Sequence, residues 1–168
     1  MTKAKYLFFL LFVLLMGPLV ANEPLISKKK APLSVALPLL KSIDHYAIVV
    51  GNGPIHMYAF IDPVCPRSRE FVEMVLENTK MQLTYTYHFF YYELTRFHTK
   101  NTIGMIYAAK DPLEMMRTIM IDKTEITPIG RLSAHVKKEM DEISMVAQQL
   151  EIDKRPYLFV VRPNKGDK

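Results

Sequence analysis

Three apolar runs interrupt the polar background of the chain and read as strands. Residues 55–61 (IHMYAFI) are apolar almost throughout, the pattern of a central strand buried on both faces. Residues 82–92 (QLTYTYHFFYY) are rich in Thr and aromatic side chains, which suit a pleated, half-buried surface. Residues 157–161 (YLFVV) form the last run. A shorter candidate, 46–50, is joined to the first by Gly51-Asn52-Gly53-Pro54, a turn sequence. Between these runs the apolar spacing becomes helical. Over 66–80, Phe71, Val72, Val75 and Leu76 share one face, and Pro66 suits a first helical turn because its missing N–H is no loss there. Residues 99–109 and 112–120 predict two helices split by Lys110-Asp111-Pro112, and 131–150 predict a long amphipathic one. Residues 124–130 read as a loop and 33–41 as a short apolar piece interrupted by Pro38.

The order β, β, α, β, helices, β predicts an α/β fold. No internal repeat or low-complexity block is visible. Residues 1–21 pair Lys3 and Lys5 with an apolar stretch and a Gly17-Pro18 break, the layout of a secretory signal peptide, or of an N-terminal anchor if it is not cleaved. The predicted organisation is therefore 1–21 signal, 22–42 linker and 43–168 a single domain. The location expected is the periplasm, with membrane contact only if the N-terminal segment is retained.

At 168 residues, 49% hydrophobic and 23% charged, the composition is that of a globular domain. The formal charge of +5 shrinks to +3 without Lys3 and Lys5, which is no nucleic-acid footprint. There is one cysteine, Cys65, so neither an intramolecular disulfide nor a CxxC metal site can form. The five histidines show no metal-ligand spacing, and the methionines fall at helical intervals typical of core filler. No metal or cofactor is expected. Asp62, ahead of Pro63, reads as a turn former or as a tuner of the cysteine.

A lone cysteine in an exported protein is a small buried hydrophobe, a reactive thiol or one half of an intermolecular bond. Cys65 sits where a central strand hands over to a helix. The free N–H groups and dipole of a helix start favour an anion there, with Arg67 and Arg69 close by and the Ser68 hydroxyl within reach. A partly exposed, reactive thiol is the expectation.

Strand, then Cys65-Pro66-Arg67-Ser68, then helix resembles the C-x-x-C site of the thioredoxin fold with Ser68 in place of the second cysteine. Residues 59–65 (AFIDPVC), 106–111 (IYAAKD) and 146–152 (VAQQLEI) followed by Arg155-Pro156 resemble, in order, the catalytic domain of the DsbC/DsbG-type periplasmic disulfide isomerases, over about residues 43–161. The resemblance implies a thioredoxin-like fold with inserted helices. It implies that Cys65 is the nucleophile, that Pro66, Arg67 and Ser68 shape it, and that Pro156 is a cis-proline facing it, with Arg155 presenting backbone to substrate. The sequence departs from the family in three ways. The second cysteine is missing, 22–41 is too short for a dimerisation domain, and the fold reads as shortened after 157–161, which leaves that strand as a possible edge. Three functions follow. The first is isomerase-like thiol–disulfide exchange with cysteine-containing envelope proteins or a small thiol. The second is a catalytically degenerate binding or assembly module, and the third is covalent dimerisation through Cys65.

Overall fold

The computed structural model describes residues 31–126 and 130–163. The proposed signal segment, part of the 124–130 loop and the end of the polar tail lie outside these residues. A four-stranded sheet forms the centre: β1 (Ile48–Val50), β2 (Ile55–Ile61), β3 (Tyr85–Tyr91) and β4 (Tyr157–Val161), in the order β1-β3-β2-β4. β2 and β3 are parallel, while β1 and β4 run antiparallel to their neighbours. The nearly unbroken apolar run of β2 is explained by its place inside the sheet, and β4 lies at an edge of it.

Six α-helices surround the sheet among the described residues: α1 (Leu33–Ser42), α2 (Pro66–Leu76), α3 (Thr79–Thr84), α4 (Lys100–Ala108), α5 (Pro112–Met120) and α6 (Ala134–Gln149). The stretch 33–42, read from sequence as part of a linker, is helical and places Ala36 and Leu40 fully inside the core. The single helix predicted over 66–80 is two helices. Asn78 accepts a hydrogen bond from the Met81 N–H and starts α3. The Gln82 amide meanwhile donates to the carbonyls of Val75 and Leu76 and closes α2. A local side-chain cap thus overrides continuous helical spacing, and β3 begins at Tyr85 rather than at residue 82. β1 is likewise shorter than expected, because residues 44–46 form a 3-10 turn. Gly51 takes φ +85°, and a side chain there would collide with the Tyr85 carbonyl; the tight β1–β2 link therefore requires glycine.

Aromatic packing fixes the layers. Phe71 of α2 meets Tyr87 and Phe89 edge-on, with ring centroids 6.0 Å from each. At the end of β3 the Tyr91 N–H donates to the Tyr107 hydroxyl of α4, and the Tyr91 hydroxyl meets the Met120 sulfur of α5. The inserted helices are thereby anchored to the strand end nearest Cys65.

On the other face of β3, His88 is buried and stacks on Tyr58 at 4.5 Å. Its Nε2 lies 2.9 Å from His56 Nδ1, and its Nδ1 lies 2.6 Å from Asp44 Oδ1. The approach to Asp44 is close without closing a well-aligned hydrogen bond, and it becomes an ion pair only when His88 is protonated. Sequence spacing hid this cluster, since only the β2–β3 register brings the two rings together. Among the described residues, no group of three or more His, Cys, Asp or Glu is arranged to hold a metal, and no helix is long and apolar enough to cross a membrane.

Burial lowers the His88 pKa, with Asp44 opposing the shift. The unfolded chain therefore takes up this proton first as pH falls. His88 contributes stability that is fully present above about pH 6.5, the ordinary histidine value, and is lost as pH drops through it toward the folded-state value. Urea midpoints measured between pH 8 and pH 5 are expected to fall below about pH 6.5. In His88→Gln the curve is expected to be flatter over the same interval.

Candidate functional site

The site is built where β2 ends. Asp62 follows the strand and is 0% exposed. Its Oδ1 accepts from the Val64 N–H at 2.9 Å and turns the chain, and its backbone carbonyl accepts from the Cys65 N–H at 3.2 Å. Its Oδ2 accepts from the Leu94 N–H at 2.7 Å and from the Thr99 hydroxyl at 2.9 Å. One carboxylate thus makes the turn before Cys65 and ties it to the loop that leads into α4. The turn that the sequence offered for Asp62 is local and is present, and the tie to Leu94 and Thr99 was not legible.

Cys65 is the N-cap residue of α2, and Pro66 occupies the first helical turn. The sulfur is more enclosed than the sequence implied: Cys65 is 4% exposed, and its thiol donates to the Arg155 carbonyl at 3.8 Å. The cover comes from the loop before β4, where the Arg155–Pro156 peptide is cis. That loop is remote in sequence, which is why the strand-to-helix context alone predicted exposure. Pro66 and Arg67 lie exposed on the outer side of the helix start. Ser68 is buried beneath it, with its oxygen accepting from the Asp62 N–H at 3.2 Å. Arg69 reaches back and donates through Nε to the Pro63 carbonyl at 2.7 Å.

The sequence reading of Arg155 concerned its backbone and assigned its side chain no role. Only its carbonyl faces the cysteine. Its side chain is buried, donates to the carbonyls of Tyr92, Glu93 and Lys154 at 2.7, 3.2 and 2.8 Å, and stacks 4.1 Å from the Tyr92 ring centroid. Burial pulls its pKa down to about 10, against the opposing influence of Tyr92, Asp62 and Cys65. The guanidinium therefore remains a cation at neutral pH. It fastens the cis-proline loop to the loop after β3, the same loop that Asp62 holds from the other side. Cys65, Ser68, Arg155 and Pro156 are thus gathered around one strand end, with Pro66 and Arg67 at its rim.

Asp62→Ala strands the Leu94 N–H and the Thr99 hydroxyl in the interior. It is expected to lower stability by about 3 kcal/mol, against about 1 kcal/mol for Thr99→Val, which removes one donor only. Denaturant unfolding of both variants measures the difference, and equal losses would show that the carboxylate does not bear on the second loop.

At the level of sequence, neither a protein-family model nor a curated protein matches the chain. Solved structures do match. A compact form of ScsC from Proteus mirabilis superposes with a TM-score of 0.60 at 10% identity, over 95% of this chain and 90% of that one. BcfH from Salmonella enterica Typhimurium gives 0.56 at 13% identity, over 98% and 81%. A disulfide interchange protein from Neisseria gonorrhoeae gives 0.52 at 18% identity, over 70% and 85%. At these identities the likeness establishes the fold alone: the chain has a thioredoxin fold with inserted helices.

Proposed function

We propose that this chain carries out thiol–disulfide exchange of the isomerase type through a single nucleophile, Cys65. The observation that carries the reading is the position of the Cys65 sulfur. It lies at the start of α2, against the carbonyl of the residue before a cis-proline, within a thioredoxin fold. The Asp62-Pro63-Val64-Cys65 segment at the end of β2, the helices between β3 and β4 and the Arg155–Pro156 loop before β4 support the isomerase side of the reading.

The chemistry needs one thiol only. The Cys65 thiolate attacks one sulfur of a substrate disulfide; that S–S bond breaks, a Cys65–substrate disulfide forms, and the second substrate sulfur leaves as thiolate. A thiolate of the same substrate then attacks the substrate sulfur of the mixed disulfide. A new substrate disulfide forms and the Cys65 thiolate returns. No net electrons are transferred, so no resolving cysteine is required. Net dithiol oxidation or reduction within one chain is excluded by the single cysteine. Pro66 and Arg67 form the exposed rim against which a substrate rests, Ser68 supports the turn from below, and the Arg155–Pro156 backbone receives extended substrate. On this reading the substrates are cysteine-containing proteins outside the cytoplasm, and the signal-like pattern of residues 1–21 supports a periplasmic location.

The burial of Cys65 favours a second reading, a binding or assembly module that has lost exchange. The two separate cleanly. The exchange reading expects Cys65 in the folded protein to be trapped as a mixed disulfide when a scrambled disulfide protein is offered and quenched with acid, and expects Cys65→Ala to give no adduct. If Cys65 reacts only after unfolding, the module reading holds. Ser68→Cys is a further check, since it supplies a second thiol one helical turn on. It is expected to add dithiol reductase turnover with a recycling reductant, where the wild type gives little.

A further inference from the structure

Three ionisable groups from three elements meet away from Cys65: Asp44 from the 3-10 turn after α1, His56 from β2 and His88 from β3. The ring centroids of His56 and His88 are 5.2 Å apart, with Nδ1 of the first 2.9 Å from Nε2 of the second. The rings therefore meet end to end, and one proton fits between them. The Asp44 carboxylate lies 2.6 Å from His88 Nδ1 and fixes that nitrogen as an N–H, because a bare ring nitrogen would set a lone pair against an anion. His88 Nε2 is then the atom that shares a proton with His56. One added proton leaves the chain intact: exposed His56 takes it from solvent and donates through Nδ1 to His88, which keeps its N–H toward Asp44. A second added proton must go to His88 Nε2. Two cations then point N–H groups at each other across 2.9 Å.

The other groups nearby do not relieve that conflict. Tyr58 of β2 stacks on His88, and burial together with Asp44 raises its pKa, so it stays neutral. β1 places apolar Val49 opposite His88. On the 3-10 turn, His45 is exposed and lies against Tyr46. From α6, Glu139 and Glu142 face Tyr46, whose hydroxyl donates to Glu142 at 2.8 Å, and Lys138 pairs with Glu142. Burial lowers the His88 pKa, Asp44 opposes this, and His56 lowers it further. His88 is 6% exposed, so a second cation reaches water only if a neighbouring element moves. β2 and β3 are paired along their whole lengths, whereas the 3-10 turn is three residues long, and the less tied element opens first. We propose that Asp44, His88 and His56 form an acid-operated latch that holds the N-terminal arm, residues 33–46, to the sheet, and that protonation of both histidines releases it. Residues 1–30 join the domain through this arm, so the latch sets how firmly the domain is attached to its N-terminal segment. The proposal does not depend on exchange at Cys65.

Hydrogen exchange of the full-length protein from about pH 7.5 to about pH 4.5, read by mass spectrometry and corrected for the intrinsic pH dependence of exchange, tests the latch. The open arm leaves the cluster free to bind one proton more than the closed one does. Protection of 33–46 is therefore expected to fall about tenfold per pH unit below about pH 6.5, while β2 and β3 keep theirs. His56→Gln removes the facing cation, so that His88 can ionise against Asp44 with the arm closed. In this variant the loss is expected to begin about one pH unit lower, although a contact has been deleted. His88→Gln is expected to make protection of the arm independent of pH over the same interval. Glu142→Gln cuts the Tyr46 tie and is expected to weaken protection of the arm equally at every pH. Arm and strands that lose protection together would overturn the latch. So would a His56→Gln arm that opens at the wild-type pH, or a Glu142→Gln arm that has lost its pH dependence.

Discussion

The buried carboxylate of Asp62 is the constraint on which the rest of the site depends. A carboxylate removed from water is tolerated only where donors replace the solvent, and this one has three, from Val64, Leu94 and Thr99. They come from two segments that are distant in sequence. The carboxylate therefore sets the turn that delivers Cys65 to the start of α2 and also fixes how the inserted helices approach it. Arg155 is the counterpart on the opposite side. Its guanidinium takes up the carbonyls of Tyr92 and Glu93, so the loop after β3 is held by an anion through its Leu94 N–H and by a cation through its preceding carbonyls. Asp62 raises the Arg155 pKa across this gap, which makes the two groups electrostatic partners without direct contact.

What the sequence showed and what it hid divide along this line. β2 and β4 were legible to the residue, because a strand paired on both sides and an apolar run bounded by Arg155-Pro156 leave clear one-dimensional marks. The start of α2 was legible for the same reason, through Pro66. The break at Asn78 was not, since the helical spacing of apolar residues continues across it and only a side-chain cap stops the helix. The partners of Asp62, the inward turn of the Arg155 side chain and the His56–His88–Asp44 cluster each need strands or loops brought together by register. The same limit explains the misjudged exposure of Cys65: its cover belongs to a loop 90 residues further along the chain.

On the exchange reading proposed above, the enclosure of Cys65 is a constraint that a substrate must meet at the Arg155 carbonyl. The sulfur is in contact with the Arg155 carbonyl, so its main-chain neighbour is the very backbone that an extended substrate would meet. On that reading, a substrate pairing with the Arg155–Pro156 segment would displace solvent from both partners at once and bring its disulfide to the sulfur. Attack along an S–S axis is steep in its demand for alignment, and on that reading a sulfur held between a helix start and the Arg155–Pro156 loop would supply it before the substrate arrives. An exposed, mobile cysteine would react with more partners and discriminate less.

It follows that the Arg155 side chain and the Cys65 sulfur act as a pair although they do not touch. Every hydrogen bond that the guanidinium makes is spent on holding the Arg155–Pro156 loop at the height where its carbonyl meets the sulfur. The cost of keeping that cation inside the protein shows in its lowered pKa, and the fold would be relieved of it by an apolar side chain of similar length. An apolar replacement, however, leaves the carbonyls of Tyr92 and Glu93 without donors and lets the loop choose its own distance from Cys65. The separation between the Cys65 sulfur and the backbone opposite it is thus set from a third place, and Arg155 is the residue that reaches both loops.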